Sequence, residues 1–203
     1  MPQRARAVYQ FKMELLEVDP PVWRQIQVPE TYSFWDLHVA IQDGIMCWRD
    51  YHLHEFAVID PSTGNRVSIG IPDEDFKRGD AIVLPGWDYR IANYFSADNR
   101  SGSYTYDFGG NWQHVLTFEG VFPRVPKSRC PRCLDGARAC PPEGCGGAYG
   151  YEHLLRVLRT PSDEGHESMR AWVGEDFDPE VFNAEKVRFS DPHARWLLAF
   201  VDA

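Results

Sequence analysis

Four closely spaced cysteines, Cys130, Cys133, Cys140 and Cys145, are the residues of this chain whose pattern most directly suggests chemistry. They stand in CPRCLDGARACPPEGC as C-x2-C-x6-C-x4-C. Thiolates hold tetrahedral Zn²⁺ at about 2.3 Å and need a tight turn under each pair. Pro131, Gly136, Pro141, Pro142, Gly144, Gly146 and Gly147 are residues that make such turns. Four thiolates leave no open position, so the expectation is one structural Zn²⁺ that stabilises the fold rather than activating water. Two disulfides are an alternative, as are free thiols including a redox CxxC. A reducing compartment and the absence of a thioredoxin-like βαβ context both weigh toward zinc. Cys47, within a helical stretch, reads as a small core residue.

A second set could do acid–base or metal chemistry. In TYDFGGNWQH, a strand over 112–119 puts Trp112, His114, Leu116 and Phe118 on one face. With a two-residue turn at Gly109-Gly110 or Gly110-Asn111, Asp107 shares that face with His114, where a carboxylate would fix the imidazole tautomer. His38 lies on a helix and His54 on the face of Phe56 and Val58 at the start of a strand that His52 precedes. Asp107, His114, His54 and His38 are therefore the catalytic candidates, and for Asp107, His114 and His54 a buried structural role is the favoured alternative. His153, His166 and His193 fall in a helical tail, with exposed or capping roles. The sequence holds no Gly-rich phosphate loop, nucleophile elbow or HExxH.

The elements that must position these groups follow from periodicity. Residues 8–16 alternate, with Tyr9, Phe11, Met13 and Leu15 on one face; Asp19, Pro20 and Pro21 break them, and 22–28 alternate again, predicting a hairpin. Ser33 with Asp36 looks like a helix N-cap, and Phe34, Leu37, Ile41 and Ile45 at helical spacing predict an amphipathic helix over 33–46. A strand at 53–59 follows. Residues 65–100 are ambiguous, with a short apolar strand at 81–84 and a helical turn near 89–95. A second hairpin covers 103–108 and 112–119, the cysteine module 129–147, and helices fall at about 149–159, 163–173 and 191–201.

The fold class expected is α+β: one domain over 1–203, a mostly antiparallel sheet packed by helices, a cysteine-rich zinc module at 129–147 and a helical tail at 149–203. Apolar residues are 43% of the chain, enough for a core. No apolar run approaches the roughly 20 residues of a membrane helix, and the N-terminus lacks a signal-like apolar region. No membrane association and a cytoplasmic location are the expectation. The net charge of −9 argues against phosphate binding by the whole surface. Residues 121–160 are locally basic, through Arg124, Lys127, Arg129, Arg132, Arg138, Arg156 and Arg159, while 161–203 are acidic. That acidic tail could instead fold over the basic face and turn its arginines into internal ion pairs.

Four segments carry a resemblance: PPVWRQIQVP, FWDLHVAIQDGIMCWRDYHLHEF, YDFGGNWQH and ACPPEGCGGAYGYEHLL. In this order they resemble the plasmid pRiA4b ORF-3-like family, found on plasmids, beside mobile elements and in bacterial genomes. The resemblance implies a single α+β domain rather than an activity. Gly110 and Gly144 stand where the family usually has an acidic residue, which removes two carboxylates from any catalytic role. Two functions follow. One is a non-enzymatic, zinc-stabilised binding module of a plasmid or mobile-element system, with a protein partner favoured and nucleic acid possible through Arg124, Lys127, Arg129, Arg132 and Arg138. The alternative is a metal-dependent hydrolase or nuclease using the Asp/His set, which requires those groups to converge on an open pocket.

Overall fold

The alternating residues at the start of the chain form β1 (Ala7–Leu15) and β2 (Trp23–Pro29), paired antiparallel with Phe11 opposite Ile26. Phe11, Met13, Leu15, Ile26 and Val28 are buried on one face, as a period of two demands. The computed structural model describes residues 7–46, 48, 50–73 and 82–201. The remaining strands are β3 (His54–Ile59), β4 (Arg66–Gly70), β5 (Val83–Pro85), β6 (Ser101–Tyr106), β7 (Trp112–Pro123) and β8 (Arg132–Ala137). They form one sheet in the order β5-β4-β3-β6-β7-β1-β2-β8, antiparallel at every pairing except β4 with β5. The expected α+β class with a mostly antiparallel sheet is what the chain builds. Cys47 lies outside the described residues.

Helix α1 (Phe34–Ile41) starts at a full capping box: the Ser33 hydroxyl accepts from the Asp36 N–H, and Asp36 Oδ2 accepts from the Ser33 N–H. The helix continues as a π-helical turn over Gln42–Met46. Phe34, Leu37, Ile41 and Ile45 are all buried in the main core, so the expected apolar stripe packs as read. Helices α2 (Gly147–Leu158), α3 (His166–Val173) and α4 (Pro192–Phe200) follow the sheet. Helix α4 docks on α1, where Trp35 Nε1 donates to the Pro192 carbonyl at 3.0 Å. No helix among the described residues is long and apolar enough to cross a membrane.

Two strands were not expected. β4 falls in the segment without clear periodicity, and β8 runs through the cysteine module, where a loop was anticipated. The sequence RCLDGA has little strand propensity of its own. Pairing with the edge of β2 supplies the missing stabilisation, and Gly136 permits it, since a Cβ there would fall 2.7 Å from the Trp23 carbonyl.

Candidate functional site

The second hairpin differs from the expected one, and with it the partner of Asp107. Tyr106 pairs with Trp112 and Tyr104 with His114, so the connection is Asp107–Asn111 rather than two residues. Asp107 opens that turn at φ 53, accepting from the Gly109 N–H at 3.1 Å while its carbonyl accepts from Asn111 N–H at 2.6 Å. Asp tolerates this left-handed conformation and its side chain closes the local turn. A shared face for Asp107 and His114 is thereby overturned: His114 stands opposite Tyr104, and Asp107 Oδ1 faces His52 Nδ1 at 3.8 Å. Trp112, His114, Leu116 and Phe118 do share a buried face. Gly110 fits this turn because a Cβ there would lie 2.6 Å from Asp107 Oδ2.

His38 and His54 meet in the core. Their rings stack with centroids 3.5 Å apart and an angle of 6° between planes, and both side chains are buried. Gln42 Nε2 donates to the Tyr104 hydroxyl at 2.8 Å, that hydroxyl donates to His38 Nδ1 at 2.9 Å, and His38 Nε2 donates to Asp50 Oδ1 at 2.9 Å. Arg195 of α4 completes the chain, 3.2 Å from Asp50 and 3.6 Å from Asp43. Burial by itself would raise the Asp50 carboxyl, but His38 beside it, with His54 and Arg195, pulls it down to about 2. Burial pushes the Tyr104 phenol well above its ordinary value, which keeps it a donor. His54 is held well below its ordinary range by burial and then by His38, and neither of its ring nitrogens has a hydrogen-bond partner among the described residues. Burial also lowers His114, to about 4. Sequence reasoning missed Asp50, Tyr104, Gln42 and Arg195, which come from four separate segments.

Three of the four candidate residues are thus buried, and the network ties α1, β6 and α4 together. Asp107 alone lies near an opening. Its partner His52 lines a cavity of about 630 Å³ with Trp48, Tyr51, Cys140 and Glu143. The segments read as motifs converge here: Trp48 Nε1 donates to the Pro141 carbonyl at 2.8 Å and the Tyr106 hydroxyl to Glu143 at 3.3 Å. Gly147, at φ +74, packs on the Gly110 carbonyl without room for a side chain.

The four thiols divide. Cys130 and Cys133 stand just before and within β8 and line a groove, whereas Cys140 and Cys145 follow the strand. Cys140 lines the other cavity. Among the described residues no three His, Cys, Asp or Glu side chains stand together as a metal-holding group. Burial raises the Cys130, Cys133 and Cys145 thiols, the last to about 11.

The groove beside Cys130 and Cys133, about 610 Å³, gathers Arg124, Arg129, Arg132 and Arg188, with Glu185 as its acidic member. A hydrogen-bonded row across the sheet positions Arg132: Glu119 Oε2 accepts from Gln10, Gln10 Oε1 from Gln27, and Gln27 Oε1 from Arg132 at 2.9 and 2.7 Å. Arg138 leaves the expected basic patch. It is buried, donating to Glu180 at 3.1 and 2.8 Å and to the Pro20 carbonyl. Arg159 lies 3.5 Å from the same Glu180. The acidic tail therefore neutralises part of the basic segment and adds Arg188 to the rest.

Residues 7–186 match the family described as plasmid pRiA4b ORF-3-like protein. An uncharacterized protein, y4hQ, of Sinorhizobium fredii (strain NBRC 101917 / NGR234) is 33% identical over 197 residues, 94% of each chain. The crystal structure of protein of unknown function MM3350 from Methanosarcina mazei Go1 superposes with a TM-score of 0.84 at 40% identity, over 91% of this chain and 99% of the other. With the match spanning the whole sheet, the chain belongs to the plasmid pRiA4b ORF-3-like family.

Proposed function

We propose that this protein is a binding module without catalytic activity, and that its arginine groove takes the phosphate backbone of a nucleic acid. The observation that supports the reading is the gathering of Arg124, Arg129, Arg132 and Arg188 around one groove on an otherwise acidic chain. The burial of His38, His54 and His114 supports the absence of catalysis. Each arginine that meets a phosphate releases counterions, so log affinity falls by about 0.9 per contact for each unit of log salt. Four contacts correspond to about a hundredfold loss between 50 and 200 mM salt. Titration of short duplex DNA and single-stranded RNA should show that salt dependence, and Arg129→Glu with Arg188→Glu should abolish binding. No binding at low salt eliminates the nucleic-acid reading and leaves a protein partner. A role in a plasmid or mobile-element system is supported by the family's name alone.

One observation favours hydrolysis as a second reading, namely the Asp107–His52 pair beside an open cavity. The same mixtures run on denaturing gels with Mg²⁺, Mn²⁺ or Zn²⁺ test it, and intact strands remove it.

Structural zinc is a separable part of the proposal, supported by the thiol spacing. Its binding would draw the turn at Cys130 and Cys133 and the turn at Cys140 and Cys145 onto one ion. Metal analysis of protein prepared without oxidant should give about one Zn²⁺ per chain, released by strong chelators, because structural sites couple binding to local folding. Metal-free protein with titratable thiols removes the ion.

A further inference from the structure

A cavity of about 550 Å³, remote in chemistry from the arginine groove, opens between the start of α1, the turn at 86–90 and α4. Its volume is in the range of small-ligand sites. Three tryptophans line it: Trp35 from α1, Trp87 from the turn and Trp196 from α4. Their rings surround Phe200 with centroid distances of 5.4, 5.3 and 5.5 Å, so the aromatic wall is held by mutual packing. Trp35 is buried and its N–H is used by the Pro192 carbonyl, whereas Trp87 is 37% exposed.

The charges on this wall are mostly negative. Asp36 and Asp88 line the cavity beside Arg90 and His193, and the Arg90 guanidinium donates to the Thr31 carbonyl at 3.3 Å. Asp36 is fixed by its capping bonds to Ser33 and cannot swing away without uncapping α1. Burial lifts the Asp36 carboxyl, with Asp191 adding to the rise against Ser33 and Arg90. The neighbouring Tyr32 phenol is raised by burial and then by Asp36, Cys130, Asp191 and Asp43. An anion would be repelled by these carboxylates. Indole faces attract cations through the ring quadrupole, and more strongly where water is excluded.

We infer that the cavity lined by Trp35, Trp87, Trp196, Asp36 and Asp88 binds a small organic cation of the alkylated-ammonium class. The indoles supply cation–π attraction and the two carboxylates balance the charge. A strongly hydrated metal ion is a poor match, because an aromatic wall offers it no oxygen ligands. The headgroup could be carried by a free small molecule or by a methylated lysine side chain, and the recognition chemistry is the same.

The test uses choline against its neutral carbon isostere, 3,3-dimethylbutan-1-ol, followed by the indole N–H resonances of the full chain. Choline should shift Trp87 and Trp196 saturably while Trp23 and Trp112 stay in place. The isostere should bind about tenfold more weakly, a difference of about 1.4 kcal/mol, since it lacks the charge that the indole faces and the carboxylates attract. Asp88→Asn, at an exposed position, should weaken choline severalfold and leave the isostere unchanged, whereas Trp87→Ala should weaken both, choline the more. Comparing choline with an N-acetyl trimethyl-lysine amide then assigns the source: tighter binding of the first marks a free cation, of the second a methylated side chain. Absence of saturable shifts, equal binding of choline and isostere, or unaltered affinity in both variants overturns the inference.

Discussion

Replacing Asp50 by Asn is expected to lower the unfolding free energy by about 3 kcal/mol, the low end for removing one partner of a largely buried ion pair. The carboxylate accepts from His38 on one oxygen and from Arg195 on the other, at 2.9 and 3.2 Å. Its loss leaves a guanidinium of α4 facing an amide, with Asp43 at 3.6 Å as the remaining carboxylate. Backbone strain is not part of the effect, because Asp50 sits at φ 63 and Asn adopts that region as readily as Asp. Urea unfolding of the variant beside Glu175→Gln, an exposed carboxylate on the same chain, gives the comparison. The docking of α4 on α1 should loosen first, visible as altered fluorescence of Trp196. A loss within a few tenths of that of the control would mean that Asp50 is bystander to the core network.

Acid should weaken the fold in two stages. His114 is fully buried and its pKa lies at about 4 rather than 6.5. A histidine depressed in the folded state leaves stability intact above pH 6.5. That stability is lost as the pH falls from 6.5 toward 4, because the unfolded chain binds the proton first. At 1.36 kcal/mol for each pH unit, His114 alone corresponds to about 3 kcal/mol across this interval. His54, depressed by burial and by His38, acts in the same direction. Asp50 adds the second stage: lowered from 3.8 to about 2, its contribution is present above pH 3.8 and disappears as the pH approaches 2. Denaturation midpoints at pH 7.0, 5.5 and 4.5 should fall steadily, and His114→Asn should flatten the first stage. A midpoint constant down to pH 4.5 would contradict the buried, neutral state of both histidines.

The sequence by itself determined the parts of this protein in which a local pattern is its own explanation. Alternation placed Phe11, Met13 and Leu15 inward on β1 and Trp112, His114, Leu116 and Phe118 inward on β7. The Ser33 and Asp36 capping pair located the start of α1, and helical spacing named Phe34, Leu37 and Ile41 among its buried residues and Ile45 in the turn that follows. The burial of His54 was legible too, from its face on β3. What only the tertiary structure decided were pairings between distant segments. Asp107 meets His52 rather than His114, because a five-residue turn changes the register that the two glycines suggested. Arg138 turns inward to Glu180, and Arg188 joins Arg124, Arg129 and Arg132, although 56 residues separate Arg132 from Arg188 in number. β8 owes its strand to the edge of β2 rather than to its own residues. The difference is physical: periodicity and capping act over a few residues and leave a signature in order. Ion pairs, grooves and edge strands depend on which surfaces the fold brings together, and one extra residue in a turn is enough to change the partner.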